Sequence, residues 1–152
     1  MDRLCRVLGG NEEMIIQIIG LPGSGKTTLA KELVKHFGAI HLNADEVRDF
    51  VNYDLGFSHE DRIEHSRRLG GMARLFQEQG FDVVVDFVCP TLDTRKAFGV
   101  ADVVVFMDRV QGSIYKDTNL MWQRPESPDI VISDGLTIEQ EVEVTLAFLA
   151  QW

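Results

Sequence analysis

Apolar positions along the chain fall into two patterns. Continuous runs at Met14 to Ile19, Phe81 to Val88, Ala101 to Met107 and Asp129 to Ile132 read as strands buried on both faces, and Ala39 to Leu42 as a shorter one. Between them apolar residues recur at helical spacing. Leu29, Leu33, Val34 and Phe37 share one face before Gly38. Ile63, Leu69, Met72, Ala73 and Phe76 share another before Gly80, and Ile138, Val142, Leu146 and Leu149 a third. Ser58 and Asp61 have capping-box spacing and start the second of these helices near His59. Thr137 caps the last, whose glutamates point outward. Residues 95 to 101 form a short helix or loop. Residues 108 to 128 are polar and Pro-containing, with isolated aromatics at Tyr115 and Trp122, and read as a lid or loop tip. Strands alternating with helices imply an α/β fold with a parallel sheet covered on both faces. A length of 152 residues fits a single domain, 1–152.

The first strand runs directly into Gly20-Leu21-Pro22-Gly23-Ser24-Gly25-Lys26-Thr27-Thr28, which fits the phosphate-loop pattern G-x-x-x-x-G-K-[ST]. Strand, loop and helix come in the required order. The glycines let backbone N–H groups converge on phosphate oxygens, and the helix adds its positive end. Lys26 supplies a charge for the β- and γ-phosphates, and Thr27 a hydroxyl for Mg²⁺. ATP and Mg²⁺ are therefore the expected ligands.

Charge and cysteine content narrow the class. A net charge of −9, from 24 acidic and 15 basic residues, disfavours nucleic acid and anionic membranes as partners. An anionic substrate needs a local cationic pocket. The two cysteines, Cys5 and Cys89, are far apart, which disfavours a disulfide framework or zinc site and suits a reduced, cytoplasmic protein. No apolar run approaches the roughly 20 residues of a membrane span, and Met1 to Glu13 is too polar for a signal peptide.

Four further groups carry candidate chemistry. Asp45 and Arg48 follow the second strand, where polar residues face the ligand crevice. They are either functional or a helix cap with a solvated charge pair. Arg62, His65, Arg67 and Arg68 make either a solvated face or an anion clamp, with His65 as an imidazolium on the Arg62 face. Asp86, inside an apolar strand, either holds Mg²⁺ through water or is a hydrogen-bonded structural acid. Cys89 is either a reactive thiol or, with no basic partner nearby in sequence, a buried inert one.

The chain resembles the adenylylsulfate kinase family, which transfers the γ-phosphoryl of ATP to the 3′-hydroxyl of adenylylsulfate. The likeness rests on the phosphate loop with Thr28-Leu29-Ala30 and on Asn43 to Arg48. Leu55-Gly56-Phe57-Ser58 through Arg67-Arg68, continuing to Gly80, and Pro125 to Ile132 also carry it. It implies a three-layer α/β/α phosphate-loop fold with a five-stranded sheet in the order 2-3-1-4-5. It makes Lys26 and Asp45 catalytic; with Thr27 from the loop motif and Asp86 from its place in the strand, Asp45 completes the expected Mg²⁺ group, partly through water. It puts Arg48, Phe57, Arg62, His65, Val88, Cys89 and Tyr115 around the acceptor, and it implies a homodimer.

The departures concentrate at the acceptor end. Asn43 replaces the family's first Asp of this motif, and Glu46 its Asn. His65 replaces an Asn, Cys89 a Ser, and Asp86 a small residue. The lid at 108–128 is shorter and less basic. Adenylylsulfate is thus the first acceptor to test. The alternatives are another nucleotide-like or sugar alcohol, and a regulatory protein that binds nucleotide without turnover.

Overall fold

Five strands and six helices alternate through residues 13–151, the part of the chain described by this computed structural model. They are β1 (Ile15–Ile19), α1 (Lys26–Phe37), β2 (Ile40–Asn43), α2 (Ala44–Phe50), α3 (His59–Glu78), β3 (Val83–Phe87), α4 (Leu92–Phe98), β4 (Val103–Asp108), α5 (Lys116–Met121), β5 (Ile130–Ser133) and α6 (Ile138–Ala150). Every pairing is parallel, and the strand order is β2-β3-β1-β4-β5, as the resemblance implied. The expectations for Cys5 and for the polar stretch before Glu13 lie outside the described residues.

Alternation along β1 divides the core. Ile16 and Ile18 pack with Leu29, Ala30 and Leu33 of α1 and Leu149 of α6. Ile15 and Ile19 pack with Leu69 and Ala73 of α3 and Phe98 of α4 on the other face. Each of these side chains is buried, and the leucines, isoleucines and phenylalanine are worth about 1.5–3 kcal/mol apiece before chain entropy is counted. Gly70 lets α3 approach α4 closely: a Cβ there would stand 2.0 Å from the Phe98 carbonyl oxygen. No helix among the described residues is long and apolar enough to cross a membrane.

Registry brings the carboxyl ends of three strands together. Ile19 pairs with Phe87, and Asn43 with Asp86, so the loop after β1 opens beside Asn43 and Asp86. β1 lies between β3 and β4, the crevice where ligands of open α/β sheets bind.

Three local expectations need correction. The helix sought over 95–101 begins earlier, at Leu92, because Thr91 and Thr94 cap each other: Thr94 N donates to Thr91 Oγ1 (3.1 Å) and Thr91 N to Thr94 Oγ1 (3.0 Å). The 108–128 segment is not all loop, since it contains α5. Glu141 does not point outward with the other glutamates of α6; it is buried against Arg109, 3.0 Å away. Ser58 does start α3, accepting from Asp61 N at 3.1 Å, but the Asp61 carboxylate reaches past the cap to Gly56 N (2.9 Å).

Candidate active site

The phosphate loop presents bare amides. Gly25 caps α1 without a side-chain hydrogen bond, and no acidic residue occupies the first turn. Those N–H groups suit an anion. Gly25 has φ +90°, and an added Cβ would stand 3.0 Å from the Arg109 guanidinium, so the position needs glycine. Lys26 is buried, and its Nζ donates to the loop's own Leu21 carbonyl at 3.0 Å. Burial pushes its pKa down to about 8, against the opposing pull of Asp86 and then Asp45. Ser24 Oγ is also buried, with no hydrogen-bond partner.

Behind the loop lies a polar knot centred on Asp86, which is 2% exposed. Its Oδ1 accepts from Thr27 Oγ1 at 2.8 Å and from Asn43 Nδ2 at 3.0 Å, and its Oδ2 meets His41 Nε2. Asn43 does double duty: its Oδ1 caps α2 by accepting from Glu46 N at 3.0 Å, while its Nδ2 is also 3.2 Å from Thr27 Oγ1. Asp86 is thus hydrogen-bonded and touches the loop threonine at once. The carboxylate of Asp45, one residue into α2, is exposed at the cavity.

The far end is cationic and aromatic. Arg48 Nη1 donates to the Gly56 carbonyl at 2.7 Å, and its guanidinium lies 4.4 Å from the Phe57 ring centroid. Arg62 donates from Nε to the Phe57 carbonyl (2.9 Å) and from Nη2 to Thr118 Oγ1 of α5 (3.3 Å). Partial burial lowers the pKa of both, and each guanidinium stays charged; Arg62 lowers that of Arg48 further, a strain that an anion would relieve. Ile114, Tyr115, Lys116 and Asp117 of the shortened lid, with Val88 and Cys89, border the same cavity, about 1010 Å³ in volume. That lies at the top of the usual range of roughly 300–1,000 Å³ for a small-molecule pocket.

Several expected residues behave differently. Arg67 turns to Glu64 (2.8 Å), and Arg68 to Asp54 (2.8 and 3.0 Å) and Glu64 (3.2 Å), so the expected clamp reduces to Arg62 with Arg48. His65 is buried and neutral rather than an imidazolium: burial first, and the Arg48 charge second, push its pKa down to about 4. Cys89 is inert, its thiol pushed up to about 12 by burial, with Sγ 3.7 Å from both Gln17 Nε2 and Thr94 Oγ1. Sequence pattern alone does not single out His41, Asn52, Arg109 or Thr118, and it puts Glu141 outside. His41 lies two residues before Asn43, the registry partner of Asp86, so it shares a sheet face with that pair once β2 is set beside β3; the others depend on contacts between distant segments.

The family profile described as Adenylylsulphate kinase matches residues 12–120. The chain belongs to the adenylylsulphate kinase family. An adenylyl-sulfate kinase from Clostridium kluyveri is 33% identical, over 93% of this chain and 85% of that protein. One from Bacillus velezensis is 40% identical, over 86% and 81% respectively. Among solved structures, the Mycobacterium tuberculosis APS kinase CysC in complex with AMPPNP and APS superposes with a TM-score of 0.79 at 25% identity, covering 91% of this chain and 98% of that one. The family member described here is accordingly a phosphate-loop kinase, a nucleotide-binding phosphotransferase with an alcohol acceptor.

Proposed function

We propose that this kinase moves the γ-phosphoryl of ATP to the 3′-hydroxyl of adenylylsulfate. One observation carries the reading: a single cavity has the phosphate loop at one end, Arg48, Arg62 and Phe57 at the other, and Asp45 on its wall. The loop amides and Lys26 would bind the ATP phosphates, Lys26 exchanging the Leu21 carbonyl for phosphate oxygen. Phe57 would stack on the acceptor's adenine, and the two arginines would take its phosphosulfate through paired N–H groups. Tyr115, Val88 and Cys89 would border the acceptor.

In the transfer, the acceptor oxygen forms a bond to the γ-phosphorus as the bond to the bridging β,γ-oxygen breaks. Asp45 would orient the hydroxyl and take its proton, and ADP would leave with the bond's electron pair. Thr27 Oγ1 and the Asp86 carboxylate are hard oxygen donors beside the loop and fit Mg²⁺, with Asp45 contributing through water. Bound there with ATP, the ion would neutralise charge on the transferring group. The resemblance supports a homodimer, and the low cysteine content a cytoplasmic setting.

The deciding experiment is a coupled ADP-release assay across adenylylsulfate, other nucleotides and sugar alcohols. Adenylylsulfate-dependent release supports the reading. Release with a sugar alcohol alone would replace the acceptor, and tight ATP binding without release would indicate a regulatory protein.

A further inference from the structure

His41 lies on the edge strand β2 and does not border the cavity, yet its ring reaches the buried Asp86 carboxylate. Only 18% of its side chain is exposed. A basic ring set against the acid behind the phosphate loop calls for a reason.

Counting donors and lone pairs shows what that carboxylate can still do. Asn43 Oδ1 caps α2, so its NH₂ must face the knot, because the network decides an amide's orientation. There Nδ2 lies 3.0 Å from Asp86 Oδ1 and 3.2 Å from Thr27 Oγ1. Thr27 accepts from that amide and gives its own hydrogen to Asp86 Oδ1 at 2.8 Å. One lone pair of the Thr27 hydroxyl is left over. Both lone pairs of Oδ1 are taken. Oδ2 meets His41 Nε2, and a carboxylate only accepts, so this ring nitrogen holds a proton. Asp86 is therefore fastened at both oxygens. It can offer a cation, or a cation's water, a single lone pair on Oδ2. With the ring in place it cannot turn both oxygens to one ion.

Cations differ in what they ask of a carboxylate. Mg²⁺ demands near-octahedral geometry, keeps several waters and takes few protein oxygens. Ca²⁺ takes more oxygens in looser geometry, often both from one carboxylate. We infer that His41 sets the preference of the nucleotide end for Mg²⁺ over Ca²⁺, by pinning Asp86 so that it cannot chelate. The same pin keeps Oδ1 on the Thr27 hydroxyl and turns the free lone pair of that hydroxyl outward. His41 is a positioning residue, acting through Asp86 and Thr27. The inference rests on the proposed nucleotide end of the cavity and is independent of the acceptor.

The test titrates the whole protein with a non-hydrolysable ATP analogue by calorimetry, in Mg²⁺ and separately in Ca²⁺. Chelation of each ion by the analogue in solution is common to every variant and cancels in the comparison. Wild type should bind more tightly with Mg²⁺. His41→Phe keeps a ring and loses the donor. It should lose about tenfold in Mg²⁺-supported affinity, the scale of removing a residue that holds a metal ligand, with Ca²⁺-supported affinity close to wild type. The ratio of the two affinities should thus fall about tenfold. His41→Gln, whose amide N–H can take the same place, should restore the ratio to within about threefold. A second readout needs no variant. In protein carrying imidazole-¹⁵N histidine, long-range ¹H–¹⁵N correlation should show His41 Nε2 protonated, with and without the analogue and Mg²⁺. A folded His41→Phe with an unchanged ratio would make His41 a packing residue and overturn the inference, and so would a bare Nε2. A wild type that binds the analogue with no dependence on metal would remove the nucleotide-end reading and this inference together. Metal-dependent binding in wild type with no change of ratio in His41→Phe removes the inference alone.

Discussion

The two ends of the cavity are built from different materials. The nucleotide end is mainly backbone: a loop between β1 and α1, bare amides and one buried lysine. The acceptor end is side chains from α2, α3, the end of β3 and the short lid, each held by a neighbour. Arg62 already spans the Phe57 carbonyl and Thr118, and Arg48 already holds the Gly56 carbonyl. Backbone geometry tolerates little variation, because replacing a loop residue changes the shape of the loop itself. A side-chain wall can be revised one position at a time. Of the departures from the family pattern, His65 and Cys89 fall at the acceptor end, whereas Asn43 and Asp86 meet Thr27 behind the phosphate loop, again as side chains.

The largest effect should come from the one side chain on which the nucleotide end depends. Lys26→Ala should lower kcat by about 100- to 1,000-fold or more, the scale of losing one preorganised charge from a transition state. Circular dichroism should show a folded protein. Undiminished ADP release from that protein would dissolve the distinction between the two ends.

Asp45 sits between them. Asp45→Asn should lower kcat by roughly 100-fold or more, the usual size of a proton-transfer contribution, with ATP affinity nearly unchanged. Asp86→Asn should instead raise the Mg²⁺ concentration needed for half-maximal ATP binding. Both are read by steady-state kinetics and nucleotide titration at varied Mg²⁺. A wild-type kcat in Asp45→Asn would reduce that residue to part of a helix start and pass its role to Asp86.

A milder effect is expected at the acceptor end. Arg62→Lys keeps the charge but loses the planar pair of donors, so the acceptor KM should rise about tenfold with ATP affinity unmoved. Equal affinity for every acceptor tested would return Arg62 to the lid contact alone.

The smallest effect is a pH dependence confined to the nucleotide end. Lys26 in the free enzyme has its pKa pushed down to about 8, and a polyphosphate must raise it. Below pH 8 the lysine is charged both free and bound, so affinity is flat. Above pH 8 the free enzyme loses a proton that ATP binding must restore, and affinity should fall by at most about tenfold per pH unit. Calorimetry in buffers of different ionisation enthalpy at pH 8.5 should detect net proton uptake. Flat affinity from pH 7 to 9.5 would contradict this.

The sequence made the nucleotide end legible because its signals are local: an apolar run, a glycine pattern and a helical stripe within a single stretch of chain. Sheet order followed once the loop placed the chain in a known architecture. Glu141 was misread because its partner, Arg109, comes from the loop just after β4, and helical periodicity alone puts a glutamate outside. The start of α4 was missed because a reciprocal Thr91–Thr94 cap lacks the usual acidic third residue. The charge state of His65 depends first on burial and then on the Arg48 charge, neither of which a spacing rule contains.

Asn43 and Asp86 face each other as registry partners on β2 and β3, sharing a single carboxylate beside Thr27. The family resemblance puts the acid at 43 and a small residue at 86, so here the acid stands one strand spacing away. Such a move takes two substitutions, and their order matters. Losing the acid at 43 first leaves an ancestor with no carboxylate at the threonine. Gaining Asp86 first leaves one with two, crowded but able to share a proton or a cation. Only the second order keeps an acid in place at every step, which makes an aspartate pair at 43 and 86 the intermediate to look for in reconstructed ancestors.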